Sequence, residues 1–100
     1  MTNLKQTLID ETKKRVEELE KEIEESGKEV ELLEAKLKVE SKMASMKDLP
    51  QEVAEDVKYS VQALESMLQM EKNRNTELQK EFEILRHRSQ VIRKFDDVEL

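Results

Sequence analysis

His87 is the only histidine of this chain, and Arg86 and Arg88 flank it. Imidazole can serve as a general base or a metal ligand. Two neighbouring guanidinium groups oppose a bound cation, so His87 reads as a solvated helix residue. Glu17, Glu18, Glu20, Glu22, Glu24 and Glu25 form an acidic run. Carboxylates hold a hard cation when they converge on it, but spread around a regular helix these six cannot, and a solvated face is expected. Lys72, Arg74, Arg86, Arg88, Arg93 and Lys94 could meet phosphates. Glu77, Glu81 and Glu83 interrupt them, and the chain has only three aromatic residues, so a nucleic-acid partner is not expected. No Ser-His-Asp order, phosphate-cradling Gly-rich loop or zinc spacing occurs, and cysteine is absent. The expectation is a protein without catalytic residues, cofactor, metal ion or small-molecule substrate.

With chemistry set aside, the question is what elements 100 residues can build. Apolar residues make up 36% and there is no Trp, which leaves room for only a thin core. Charged residues make up 42%, while Gly and Pro occur once each, so the turn residues of a β-sheet protein are missing. Disorder is the competing reading of so much charge, but the apolar residues recur at helical spacing. No apolar run approaches the roughly 18 residues that would span a bilayer, and the first residues lack a signal-peptide core. An intracellular protein, cytoplasmic or nuclear, without membrane insertion is expected. The net charge of −6 is shared evenly between the halves and gives no general attraction to anionic partners.

Ile9, Val16, Ile23, Val30, Leu37 and Ala44 fall seven apart, and Thr12, Leu19, Ser26, Leu33 and Glu40 follow the first five by three. This is the a/d seam of a coiled coil. A second seam carries Ala54, Val61, Leu68, Asn75, Phe82 and Ser89 at a, with Val57, Leu64, Glu71, Leu78, Leu85 and Ile92 at d. The heptad phase jumps between the two seams, and the only proline, Pro50, sits at the jump. Proline lacks a donor and disfavours helical angles at Leu49, so a break is expected there. Asp48, three residues before Gln51, is the expected cap of the second helix. The sequence therefore predicts an all-α, single coiled-coil domain over 1–100. Helix 1 would run over about 2–46, the turn over 47–49, helix 2 over about 50–95 and a short tail over 96–100. Nearly equal lengths around a sharp break favour an antiparallel hairpin. The alternative is an extended parallel coiled-coil dimer.

An antiparallel hairpin pairs residues whose numbers have a constant sum. A sum of 101 puts Ser26 opposite Asn75, Thr12 opposite Ser89 and Lys5 opposite Asp96, with apolar layers Ile23–Leu78, Leu19–Phe82 and Leu37–Leu64. A sum of 94 sets Asn75 against Leu19 and Glu71 against Ile23. Unpaired polar atoms among apolar neighbours cost about 1–3 kcal/mol each, so the first register is expected, with Ser26 and Asn75 as its register-setting polar residues. It leaves one misfit, Glu71 against Val30.

Two helices alone give a marginal core. The c and g positions supply a second apolar surface. Leu32, Val39, Met43 and Met46 with Val53, Ala63, Met67 and Met70 form it near the turn. Leu4 and Leu8 with Ile84, Val91, Phe95 and Val98 form it at the open end. The same positions in between are charged: Glu11, Arg15, Glu18, Glu25, Glu29, Arg74, Glu77 and Glu81. The hairpin is thus expected to assemble into a dimer or multi-helix bundle. Its expected partners are itself, helices of other proteins, or both, and its expected role is that of a non-enzymatic scaffold. The alternative role is a regulatory adaptor hairpin for a GTPase, a motor, or a cytoskeletal or chromosomal complex.

Overall fold

The computed structural model of the chain describes residues 3–95. It consists of α1, Leu4–Ala44, and α2, Gln51–Ile92, joined by a six-residue connection over 45–50 into a helical hairpin. Arg15 and Glu81, 66 residues apart, are hydrogen-bonded to each other. A parallel dimer of extended chains is thereby excluded.

The helices are shorter than their heptads suggest, and their ends show why. Asn3 caps α1: its Oδ1 accepts the Gln6 N–H at 2.8 Å, and its carbonyl accepts the Thr7 N–H at 3.1 Å. Asn followed three residues later by Gln is a capping-box spacing. At the other end the Ser45 N–H is shared between the carbonyls of Ser41 and Lys42, and the Met46 N–H bonds Met43. The last turn thus tightens to an i→i−3 pattern and stops at Ala44, two residues before the expected end. No described residue adopts positive φ, so no left-handed cap terminates α1.

Asp48 does not cap α2. The Pro50 carbonyl accepts the Ala54 N–H at 2.9 Å, which makes Pro50 the capping position and leaves Asp48 two residues too far upstream. Proline suits a helix start because the amide it lacks would have had no intrahelical partner there. The Arg93 N–H still reaches the Ser89 carbonyl at 3.4 Å, but Lys94 to Val91 and Phe95 to Ile92 are again i→i−3 bonds, so α2 ends at Ile92 rather than near 95. Asp96, Val98 and the rest of the expected tail lie outside the described residues.

The helices form two compact units, one from Met1–Glu24 with Thr76–Leu100 and the other from Glu25–Asn75. In the second unit a groove brings Ala35, Lys36, Val39 and Glu40 level with Ser60, Ala63, Leu64 and Met67. That level is the one a residue-number sum of 101 demands; a sum of 94 would set 35–40 against 54–59. In the first unit a smaller groove brings Glu20 and Ile23 level with Gln79, Phe82 and Glu83, again as 101 requires.

Burial follows the seam. Leu19, Leu33, Val57 and Leu68 are the buried apolar residues, and Thr12 and Ser26 are buried with them. Ile9, Val16, Ile23, Val30, Leu37, Val61, Leu64, Leu78, Phe82, Leu85 and Ile92 are half-buried, as expected when each touches only one facing helix. The seam stops short of the turn. Ala44 and Ala54 are both exposed, and residues 51–56 are exposed throughout, so the first buried side chain of α2 is Val57. In this register α2 begins beyond the end of α1. The six-residue connection spans the offset, with Leu49 half-buried within it.

Candidate helix-docking surface

Polar groups finish the seam in two ways. Arg15 and Glu81 both occupy g positions of the first unit. The Arg15 Nε donates to Glu81 Oε1 at 3.0 Å and Nη2 donates to Oε2 at 3.1 Å, a two-pronged bond that closes one flank of the seam. Arg15 Nη1 also reaches Glu18 at 3.4 Å and Glu22 at 3.7 Å. Hydrogen bonding to Glu81 is the main cause that holds the Arg15 pKa above its ordinary value; desolvation opposes it, and the charges of Glu81 and Glu22 add to the rise. Two members of the acidic run thus share an arginine with Glu81. In the second unit Lys72 and Glu34 pair at 3.6 Å across the opposite flank, where both hold e positions. Pairing g with g and e with e is the arrangement that antiparallel helices impose.

The polar seam residues are placed differently from one another. Glu71, the misfit of the register, has a side chain only 18% exposed, and its carboxylate accepts a hydrogen bond from Arg74 Nη1 at 3.0 Å. A bond within one helix therefore answers this charge. Ser26 is fully buried, and its Oγ has no hydrogen-bond partner. Ser26 and Asn75, expected opposite each other, are thus not joined through the serine hydroxyl, and half-buried Asn75 has an interaction of its own. Arg86 lies over the Phe82 ring, 5.7 Å from its centroid, and shields a seam aromatic from water.

No protein family, curated protein or solved structure matches the chain.

Apart from Tyr59, the large apolar side chains that remain in water among the described residues lie at c and g positions. In the second unit Val39 is 58% exposed, Met46 61%, Met67 50% and Met70 69%, and Leu32 and Val53 are also exposed. Met43 is half-buried instead. The groove between the helices opens on this same face. Short side chains at Ala35, Ser60 and Ala63 let its floor reach Leu64. Opposed to it, the e and b positions are polar: Glu31, Glu34, Lys38, Gln62, Glu65, Gln69 and Lys72. One face of this unit is therefore built for water and the other is not.

In the first unit Leu8, Ile84, Val91 and Phe95 are exposed and Leu4 is half-buried. His87 is exposed, and among the described residues no group of three or more His, Cys, Asp or Glu side chains could hold a metal ion. No described helix is long and apolar enough to cross a membrane. The sequence reading missed the Asn3 cap and the Arg15–Glu81 bond. Both carried a signal, the Asn-x-x-Gln spacing and two g positions of opposite charge at compatible levels.

Proposed function

We propose that this chain is a non-enzymatic assembly module that works by packing its exposed c/g face against other helices. The carrying observation is the one-sided exposure of Leu32, Val39, Met46, Val53, Met67 and Met70 around a groove, with a polar face behind them. Soluble chains seldom leave a contiguous apolar patch in water without a use for it. Area supports the same reading. The chain exposes 7914 Å², whereas a typical folded monomer of 11.8 kDa exposes about 5,900 Å². The difference is of the size that one protomer buries in an obligate interface. Four buried apolar residues form a thin core for two helices of 41 and 42 residues, and further helices would thicken it.

The test changes Met67 and Met70 to Glu and follows mass by light scattering and helicity by circular dichroism. The expected result is a smaller assembly, or lost capture of partner helices, with helicity retained. Glu77→Gln, at an exposed c position of the first unit, should change neither. Unchanged mass and unchanged partner capture in the Met variants would overturn the reading.

A further inference from the structure

We infer that the apolar face of the Glu25–Asn75 unit is closed by the same face of a second copy, the two related by a twofold axis parallel to their helices. This rests on the proposed helix-packing function and assigns its partner and its geometry. In that arrangement α1 of one copy lies along α2 of the other, and both connections sit at the same end. The result is a four-helix bundle in which every neighbouring helix pair is antiparallel.

Charge on the face decides both partner and orientation. The patch is bounded on one side by Glu29 on α1 and Arg74 on α2, both at g positions and, in the register observed, nearly level with each other. The proposed axis brings Glu29 of each copy opposite Arg74 of the other, so two ion pairs close that edge. An axis perpendicular to the helices would invert one copy. Glu29 would then lie near Met46 and Arg74 near Val53, and both charges would be covered by apolar side chains without a counter-charge. The face carries little net charge, since Lys36 and Arg74 offset two of its three acids, Glu25, Glu29 and Asp56. A surface so nearly balanced does not demand a strongly charged foreign partner, and self-association across it meets little repulsion. Arg74 donates to Glu71 within its own helix and retains a side chain 51% exposed, so donors remain for a second carboxylate.

The decisive experiment mixes charge reversals. Sedimentation equilibrium would give the mass of the native chain, of Glu29→Arg, of Arg74→Glu, and of an equimolar mixture of the two variants. The native chain should have twice the mass of one chain. Each variant alone should self-associate about tenfold more weakly, because like charges then face each other across the edge. The mixture should recover dimers containing one chain of each kind, which native mass spectrometry identifies. A contact within one chain cannot produce this recovery, because each variant keeps like charges at its own 29 and 74. Val39→Glu, which touches neither ion pair, should reduce the mass to that of one chain with helicity retained. A native mass of one chain overturns the inference. So does a dimer indifferent to Val39→Glu, or a mixture that recovers nothing. Should the native chain be a dimer sensitive only to first-unit changes such as Val91→Glu, helix packing as a function would stand while this partner geometry fails.

Discussion

Arg15 and Glu81 meet through two hydrogen bonds of 3.0 and 3.1 Å although 66 residues separate them in the chain. Both side chains are partly exposed, 36% and 44%, so water and salt weaken their attraction. What the pair adds most securely is register, because sliding one helix by a heptad would part the two groups. Arg15→Met and Glu81→Gln should each lower the thermal midpoint. A double-mutant cycle should show positive coupling that shrinks as salt is raised to about 0.5 M. Zero coupling at low salt would mean the bond has no energetic weight in solution.

Ser26 offers the opposite case, a polar group whose removal should help. Its hydroxyl is fully buried and unpaired, and such a group costs about 1–3 kcal/mol. Ser26→Ala removes it and also raises helix propensity. A gain of about 1 kcal/mol in urea unfolding is expected, allowing for a small cavity. A loss of stability would show that the hydroxyl has a partner in solution, with buried water the first candidate.

Gly27 should respond in the same direction for a different reason. It lies within α1, and a Cβ built on it meets nothing within 4 Å. Glycine inside a helix costs about 0.5–1 kcal/mol relative to alanine. Gly27→Ala should recover that amount. If stability fell, or if assembly were lost while helicity was kept, another chain's close approach at this position would be the explanation.

Leu33 and Met70 differ in burial by a wide margin, 2% against 69% exposed. Leu33→Ala should destabilise the hairpin by about 2–5 kcal/mol, because the cavity it leaves is walled by the facing helix. Met70→Ala should alter the unfolding of a dilute sample by no more than about 0.5 kcal/mol. Equal losses would place Met70 in the core and remove it from the docking face.

The sequence made the hairpin legible because two signals were independent of each other. Heptad spacing marked the seam from Ile9 to Leu37 and from Val57 to Ile92, and Pro50 marked where the phase broke. The register observed is the expected one, which sets Asn75 opposite Ser26 rather than Leu19, although Glu71 faces an apolar residue in either register. The element ends were not legible. Heptads carry on through Ala44 and Ala54, but α1 stops short of the level of Ala54, and Ala44 is exposed at the last turn of α1, so periodicity overstated the seam. The cap at Pro50 rather than Asp48 depends on where the connection turns, which composition does not specify. Ser26 was expected opposite Asn75, so that the two polar groups would spare each other apolar neighbours, yet its hydroxyl stands unpaired. Whether a short hydroxyl reaches across depends on rotamer and separation, which lie below the resolution of a residue pattern.

The last prediction concerns how the fold depends on its own concentration. If the c/g face is covered by another chain, part of the stability of each hairpin comes from association and must follow mass action. A hundredfold rise in concentration then stabilises a dimer by about 2.7 kcal/mol, or about half of that per chain. For a chain of this size that corresponds to a midpoint higher by roughly 5–10 °C. Melting curves by circular dichroism at a few micromolar and a few hundred micromolar would show the difference. Met67→Glu with Met70→Glu should flatten the dependence and leave the dilute midpoint nearly in place, because both side chains are already in water in the single chain. Leu33→Ala should instead lower every midpoint and keep the slope, because it weakens the seam within each chain. A native midpoint independent of concentration would mean that the hairpin stands alone and that its exposed face is not closed by another copy.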